Sequence, residues 1–377
     1  MNNNSLLAIT GAFYSGGGIA AVNRLNIRSL LEEGYHVRVF SLNETIAHQE
    51  NLQQNLIYHT FSGSKRRFVQ AIWQELIREK PSLVLCDHIN PAAALAPMAI
   101  LRRQRYLVWV YGTEVFSPRP DIEGKIGLHW AWKCLACSDY THRIVKEKYP
   151  KIDITTIEPA LDPERYGISL PEVPDQPGKQ LYLESVRGST QPLGEKVILH
   201  VSRMETIERY KGHRELLQAF PRIQGEFPDT QLVFVGDGND RSYLISIAKT
   251  QPEELQSHIF MPGYVQSDLL NELYNRCYLF TMPSWGEGYG IVFLEAMSHA
   301  KACLGGRVDA TPCAIQEGVT GILVDDPKSP EQLGEKIIWM LQRPEQVKKM
   351  GLAGYERVRS NYLFPHYRDR FLKAIAG

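Results

Sequence analysis

This sequence predicts two α/β domains of the Rossmann kind, joined in series, and three observations carry the prediction. Short apolar runs alternate with amphipathic helical patterns, as parallel strands joined by crossover helices require. The alternation stops in a stretch rich in Pro, Gly, Gln and Ser, residues 169–195, and then restarts. A chain of 377 residues is also too long for one typical domain and comfortable for two.

The first half opens with an apolar strand at 6–10, followed by the glycine loop Ser15-Gly16-Gly17-Gly18 and an amphipathic helix at 19–33 that Gly34 closes. Further strands are predicted at 37–42, 82–86 and 106–110, with helices at 68–80 and 91–102. These strands are near-continuous apolar runs because a parallel sheet covered by helices is buried on both faces. After the expected linker, strands are predicted at 196–201, 231–235, 259–261, 278–282, 302–304 and 321–324. Helices are predicted at 213–220, 291–299 and 330–342. The expected domains are residues 1–170 and 190–361. No short-period repeat is present, which argues against a solenoid.

Composition excludes several classes. Hydrophobic residues make up 44% and charged residues 22%, as in an ordinary globular protein. Lys plus Arg and Asp plus Glu are 42 each, so the chain lacks the basic excess of a bulk nucleic-acid binder. Six scattered cysteines read as free thiols in a reducing compartment, and Cys134-x-x-Cys137, with no second pair, as structural thiols. No charged n-region or long h-region follows Met1, and the longest apolar stretch, 92–101, is broken by Pro97 and falls short of the ~20 residues of a spanning helix. A cytoplasmic location is expected. Lys65-Arg66-Arg67 and Arg102-Arg103-x-Arg105 read first as solvated helix ends and second as contacts to the inner membrane face or a phosphorylated acceptor.

The strongest local signal is Pro283-Ser284-Trp285-Gly286-Glu287-Gly288-Tyr289-Gly290, leading into a helix that carries Glu295. Gly288 and Gly290 let the backbone approach a ligand, and a helix N-terminus favours phosphate. Glu287 and Glu295 are suited to accept hydrogen bonds from vicinal sugar or ribose hydroxyls. Taken singly, Glu295 reads as a helix-dipole partner and Glu287 as a solvated carboxylate; the whole arrangement reads as a ligand site. The second signal is Val201-Ser202-Arg203 at a strand end, with Tyr210-Lys211-Gly212 shortly after and a polar loop, 205–209, between them. The chain has no Asp-x-Asp motif to hold a metal. Arg203 and Lys211 offer the positive charge that a departing nucleoside diphosphate needs.

In that order these segments resemble glycosyltransferase family 4. The likeness rests on the Gly16–Gly18 loop, Arg203 with Lys211-Gly212, the strand ending Gly236-Asp237-Gly238, Gly263-Tyr264-Val265, the Glu-x7-Glu pair Glu287/Glu295, and Gly318-x-Thr320-Gly321. It covers the C-terminal half almost throughout and the N-terminal half weakly. The resemblance implies a GT-B fold, α/β with two Rossmann-like domains facing each other across a cleft. It also implies a C-terminal tail, 362–377, returning to the first domain. The implied activity is retaining transfer from a nucleotide-sugar donor to a glycan, glycolipid or other acceptor, without metal or cofactor. Glu287 would hold the donor sugar and Glu295 the ribose. Arg203, Lys211 and the backbone of Gly288, Tyr289 and Gly290 would hold the diphosphate. Gly17 and Gly18 would close over it, and Tyr264 and Val265 would edge the base.

Two segments depart from the family pattern. Tyr111-Gly112-Thr113-Glu114 stands where His-Gly-x-Asp or His-Gly-x-Glu is common, so no imidazole is available there for acid–base work. Tyr111 and Glu114 are acceptor-contact candidates, and Glu114 reads equally as a cap. Asp309-Ala310-Thr311-Pro312 replaces an expected glycine-rich turn. Rival readings are a sugar-nucleotide epimerase or hydrolase, which needs no acceptor, and a silent nucleotide-sugar-binding subunit, which binds donor without turnover. A nicotinamide-dependent dehydrogenase is more distant, since Gly236-x-Gly238 lacks a downstream ribose acid.

Overall fold

A computed structural model describes residues 4–14, 17–45, 55–116, 122–167, 170 and 179–376. Ser15 and Gly16 of the glycine loop, and residues 168–169 and 171–178 of the expected linker, lie outside them. The chain forms two compact units, Met1–Glu164 with Leu363–Gly377, and Arg165–Tyr362.

The first unit is built on a seven-stranded parallel sheet. Its strands are β1 (Ser5–Thr10), β2 (His36–Ser41), β3 (Leu56–Thr60), β4 (Leu83–Cys86), β5 (Tyr106–Val110), β6 (Lys133–Ala136) and β7 (Ile154–Thr156). Their spatial order is β3-β2-β1-β4-β5-β6-β7. Strands β4 and β5 are buried at every position, which is why an unbroken apolar run encodes a central strand here; β6 is as buried but opens with Lys133 and was not predicted. Edge strand β3 instead alternates, with Tyr58 buried and Ile57 and His59 exposed. The helix Phe364–Ala376 belongs to this unit and packs on Gly18–Glu32. The buried Tyr367 hydroxyl donates to Asn26 Oδ1 at 2.6 Å, and Lys133 Nζ donates to the Ala374 carbonyl at 2.9 Å.

The second unit starts with an antiparallel hairpin, β8 (Tyr182–Glu184) and β9 (Thr190–Pro192). The six-stranded parallel sheet follows, with β10 (Val197–Val201), β11 (Gln231–Val235), β12 (Ile259–Gly263), β13 (Leu279–Met282), β14 (Cys303–Gly306) and β15 (Gly321–Val324). Their order is β12-β11-β10-β13-β14-β15. The hairpin corrects the sequence reading. Residues 182–192 are not linker but part of this unit, tied to β12 by a Ser185–Phe260 bridge and turned at Gly188 (φ 93°). Its strands are three residues long and only Leu183 is buried, so no apolar run announces them. The boundary accordingly falls at Glu164/Arg165 rather than between 170 and 190. Among the described residues no helix is long and apolar enough to cross a membrane.

Candidate functional site

In the second unit, β10 and β13 are parallel neighbours, so their C-terminal ends emerge side by side. One delivers Ser202-Arg203 and the other the glycine loop at 283–290, at the edge where open α/β sheets bind ligands. Three contacts fuse the two segments. Gly212 (φ 79°) passes so close to Pro283 that an added Cβ would lie 2.5 Å from its carbonyl oxygen. Trp285 N–H donates to the Tyr210 carbonyl at 3.0 Å, and the Tyr210 ring fills the space where a Gly286 side chain would stand. On the other flank, a Cβ at Gly236 (φ 135°) would lie 1.9 Å from the Ser202 carbonyl oxygen. That close approach is the steric reason for the glycine after β11. Gly236→Ala therefore costs about 3 kcal/mol or more, from a backbone clash added to an unfavourable φ. A denaturant melt reads the loss.

The stretch between Arg203 and Lys211, expected as a polar loop, is a 3-10 segment, Thr206–Lys211, with one buried carboxylate. Glu208 is buried because each of its oxygens has a cation. Oε1 pairs with Arg203, and Oε2 lies 3.4 Å from Lys211 Nζ. Lys211 is 13% exposed and Arg203 64%, so one cation is held inside and the other reaches outward. Sequence reading missed Glu208, since a Glu among Thr, Glu and Arg carries no local signal.

The Glu287 carboxylate is buried, and its Oε2 accepts no hydrogen bond from the described residues. Burial pushes its pKa above the ordinary carboxylate range. Lys211 opposes this most strongly, while Asp309 and Glu208 reinforce it. The loop is held by Asp309, the residue found where a glycine-rich turn was expected. Its Oδ2 accepts from Glu287 N–H at 2.7 Å and from Ser284 Oγ at 2.7 Å, and its Oδ1 accepts from Thr311 N–H at 2.9 Å.

Glu295 sits one turn inside the helix Ile291–Ser298, whose N-terminal flank is Gly290 (φ 85°). Its Oε1 lies 3.3 Å from Arg165 Nη1 and its Oε2 accepts from the Tyr274 hydroxyl at 2.9 Å. The carboxylate is therefore fixed on both oxygens, which the sequence did not foresee. The Tyr289 ring is buried near Tyr362, so what Tyr289 offers a ligand is backbone. Tyr264 is 71% exposed beside the buried Val265. Behind Arg203, Ser202 Oγ lies between two buried imidazoles, 2.9 Å from His200 Nε2 and 2.8 Å from His213 Nε2. Burial lowers the pKa of both, His213 to about 3, so they pack as neutral rings beneath the cations.

In the first unit, Gly17 (φ 117°) and Gly18 are exposed at the start of the helix Gly18–Glu32. The segment before them is anchored by Glu44, which accepts from Phe13 N–H at 2.9 Å and Tyr14 N–H at 2.5 Å. Asp87, just past β4, accepts from Thr10 Oγ1, Gly11 N–H and Asn23 Nδ2 at 2.6, 2.9 and 3.1 Å. Neither carboxylate was singled out in the sequence. Tyr111 stacks on Trp109 at 5.6 Å, and its buried hydroxyl makes no hydrogen bond among the described residues. Burial, then Asp87, raises its pKa well above that of a free phenol. Glu114 caps the Tyr111 and Gly112 N–H groups at 2.5 and 2.9 Å, which is the second of its two readings. Cys134 and Cys137 are buried thiols, and Cys137 Sγ donates to the Tyr111 carbonyl at 3.1 Å.

Residues 184–357 match the model for "Glycosyl transferases group 1", and residues 16–165 match that for "Glycosyltransferase Family 4". Spore coat protein SA of Bacillus subtilis is 24% identical over 370 residues, 94% of each chain. The N-acetyl-alpha-D-glucosaminyl L-malate synthase of Bacillus anthracis is 26% identical over 75% of this chain and 71% of its own. Among solved structures, sucrose-phosphate synthase from Thermosynechococcus elongatus superposes with a TM-score of 0.78 at 17% identity, covering 99% of this chain and 98% of that one. Anabaena HepE in complex with UDP-glucose superposes with a TM-score of 0.76 at 14% identity, covering 99% of each. Matched in this way over both of its Rossmann-like units, the chain belongs to glycosyltransferase family 4 and is a glycosyltransferase of the GT-B fold.

Proposed function

We propose that the second unit binds a nucleotide-sugar donor and that transfer to a carbohydrate or glycolipid acceptor retains anomeric configuration without a metal. The observation that carries this reading is the buried, unpartnered Glu287 oxygen beside Lys211 and Arg203. A buried acceptor without a donor suits a ligand hydroxyl. Glu287 holds hydroxyls of the donor sugar, while Arg203, Lys211 and the Gly288–Gly290 backbone hold the diphosphate. Glu295, already oriented by Arg165 and Tyr274, has acceptor capacity left for ribose hydroxyls. The base lies along Tyr264 and Val265. From the first unit, Gly17 and Gly18 serve the phosphates, and the Tyr111 hydroxyl, rather than the capped Glu114, contacts the acceptor. As the bond from sugar to phosphate breaks, the new bond to the acceptor oxygen forms on the same face, and the leaving phosphate takes the acceptor proton. Fixed cations at that phosphate lower the barrier. The UDP-glucose in the HepE structure supports a nucleotide-sugar donor.

A thermal-shift screen of UDP-, GDP- and ADP-sugars, with and without chelator, tests this. A midpoint rise with one nucleotide that chelator leaves unchanged is expected, because a ligand of the native state stabilises by mass action. A rise lost on chelation would place a metal at the diphosphate instead. The anomeric configuration of the product, read by NMR, tests retention. Binding without turnover on any acceptor would point to a silent subunit, and donor consumption without acceptor to an epimerase or hydrolase.

Contact with an anionic membrane face belongs to the same proposal. Trp73 and Ile77 on the helix Lys65–Arg78, and Ile100 and Leu101 on the helix Ile89–Arg102, are exposed, as are Arg66 and Arg67 at the start of the first helix and Arg102 and Arg103 at the end of the second. The two helices are neighbours, with Trp73 Nε1 donating to the Ala94 carbonyl at 3.0 Å. Apolar and basic groups together favour an anionic bilayer surface. Co-sedimentation with phosphatidylglycerol vesicles but not phosphatidylcholine vesicles is expected, weakened by Leu101→Glu; equal recovery with both would end this part of the proposal.

A further inference from the structure

Two carboxylates compete for Lys211. Glu208 Oε2 lies 3.4 Å from its ammonium, and Glu287 feels Lys211 more strongly than any other charge. Among the described residues the Oε2 of neither carboxylate accepts a hydrogen bond, but Lys211 lies within ion-pair distance of Glu208 alone, and Arg203 holds the other Glu208 oxygen. A buried ammonium does not stay unpaired, because an uncompensated charge in a desolvated site is strongly unfavourable. The flexible four-carbon lysine stem would carry it to the next available carboxylate. The open Glu287 oxygen therefore depends on the ion pair that Glu208 makes with Lys211.

We propose that Glu208 is a positioning residue that holds Lys211 off Glu287, keeping the Glu287 carboxylate open for the donor's sugar while Arg203 and Lys211 stay directed at the diphosphate. This rests on the donor-site reading above and adds a division of labour within it. Without Glu208, Lys211 pairs with Glu287, and the sugar loses its acceptor. The free nucleoside diphosphate, which has no sugar to place, is affected less. A lesion that merely loosened the fold would weaken both ligands alike.

The experiment compares Glu208→Gln with wild type by calorimetric titration of UDP-glucose and UDP, GDP-mannose and GDP, and ADP-glucose and ADP, using whichever pair the wild-type protein binds. The quantity read is the affinity for the nucleotide sugar divided by that for its diphosphate. A fall of about ten-fold in this ratio is expected, the size of one lost hydrogen bond to a charged group. Glu208→Asp keeps the charge and shortens the reach. It should show a smaller fall of the same sign, and it serves alone where the glutamine variant does not fold. A ratio unchanged from wild type, or both affinities falling in proportion, would overturn the role of Glu208 and leave the donor site standing. No binding of any pair by wild-type protein would overturn the donor site itself, and this inference with it.

Discussion

Lys211→Ala lowers kcat/KM for transfer by about 100- to 1,000-fold, the usual consequence of removing one fixed stabiliser of transition-state charge. Two effects combine. The leaving diphosphate loses the buried member of its cation pair, and the exposed Arg203 does not replace a desolvated charge. Glu287 also loses the charge that most favours its ionisation. Its pKa is already raised by burial, and it must be ionised to accept two sugar hydroxyls. Activity therefore rises with pH through the Glu287 pKa, and in Lys211→Ala this acid limb moves to higher pH. The pH profile of kcat/KM reads the second effect, and the plateau reads the first. The fold survives, since Glu208 keeps Arg203. A folded variant with wild-type turnover would remove Lys211 from the mechanism.

How much of this was legible in the sequence depends on the physical signal each element carries. Central strands were readable because burial on both faces writes an uninterrupted apolar run, as in Tyr106–Val110. The edge strands β3 and β7 and the hairpin β8–β9 were not, because short, half-exposed strands have no such run, and neither was the buried β6, whose four residues begin with Lys133. Within the site, Glu287, Glu295, Arg203 and Lys211 stood out because glycines and strand ends flank them. The residues that hold these groups in place did not stand out in that role, and Asp309 was marked only as a departure from a glycine-rich turn. Glu208, Asp309, Arg165 and Tyr274 act through contacts made only on folding, and three of the four lie far along the chain from what they hold: Asp309 is 22 residues from Glu287, and Arg165 130 from Glu295. Spacing rules find groups presented to a ligand; they do not find the groups that present them.

Asp309 is the second place where a single substitution has a large effect, and two variants separate its roles. Asp309→Ala removes one acceptor from three donors, Ser284 Oγ, Glu287 N–H and Thr311 N–H, in a buried setting. Ser284 Oγ can turn to Thr311 Oγ1, 3.3 Å away, but the two N–H groups are left without a partner. At about 1–3 kcal/mol for each unsatisfied donor, the loss of stability is about 3 kcal/mol. Freed of its tether, the Glu287 loop also loses its geometry, and transfer falls with stability. Asp309→Asn behaves differently. With its amide nitrogen turned toward Thr311, the asparagine oxygen still receives Glu287 N–H and Ser284 Oγ, so the loop stays tethered and only the Thr311 contact turns repulsive. Thermal melting should therefore rank wild type, Asn, Ala in falling order, with transfer largely kept in the asparagine variant. The pH profile carries a further consequence. Asp309 raises the pKa of Glu287, so neutralising it moves the acid limb of kcat/KM to lower pH, opposite to the shift in Lys211→Ala. Limbs moving the same way in the two variants would mean that the titrating group is not Glu287. Opposite movement identifies it as the carboxylate lying between the lysine and the aspartate.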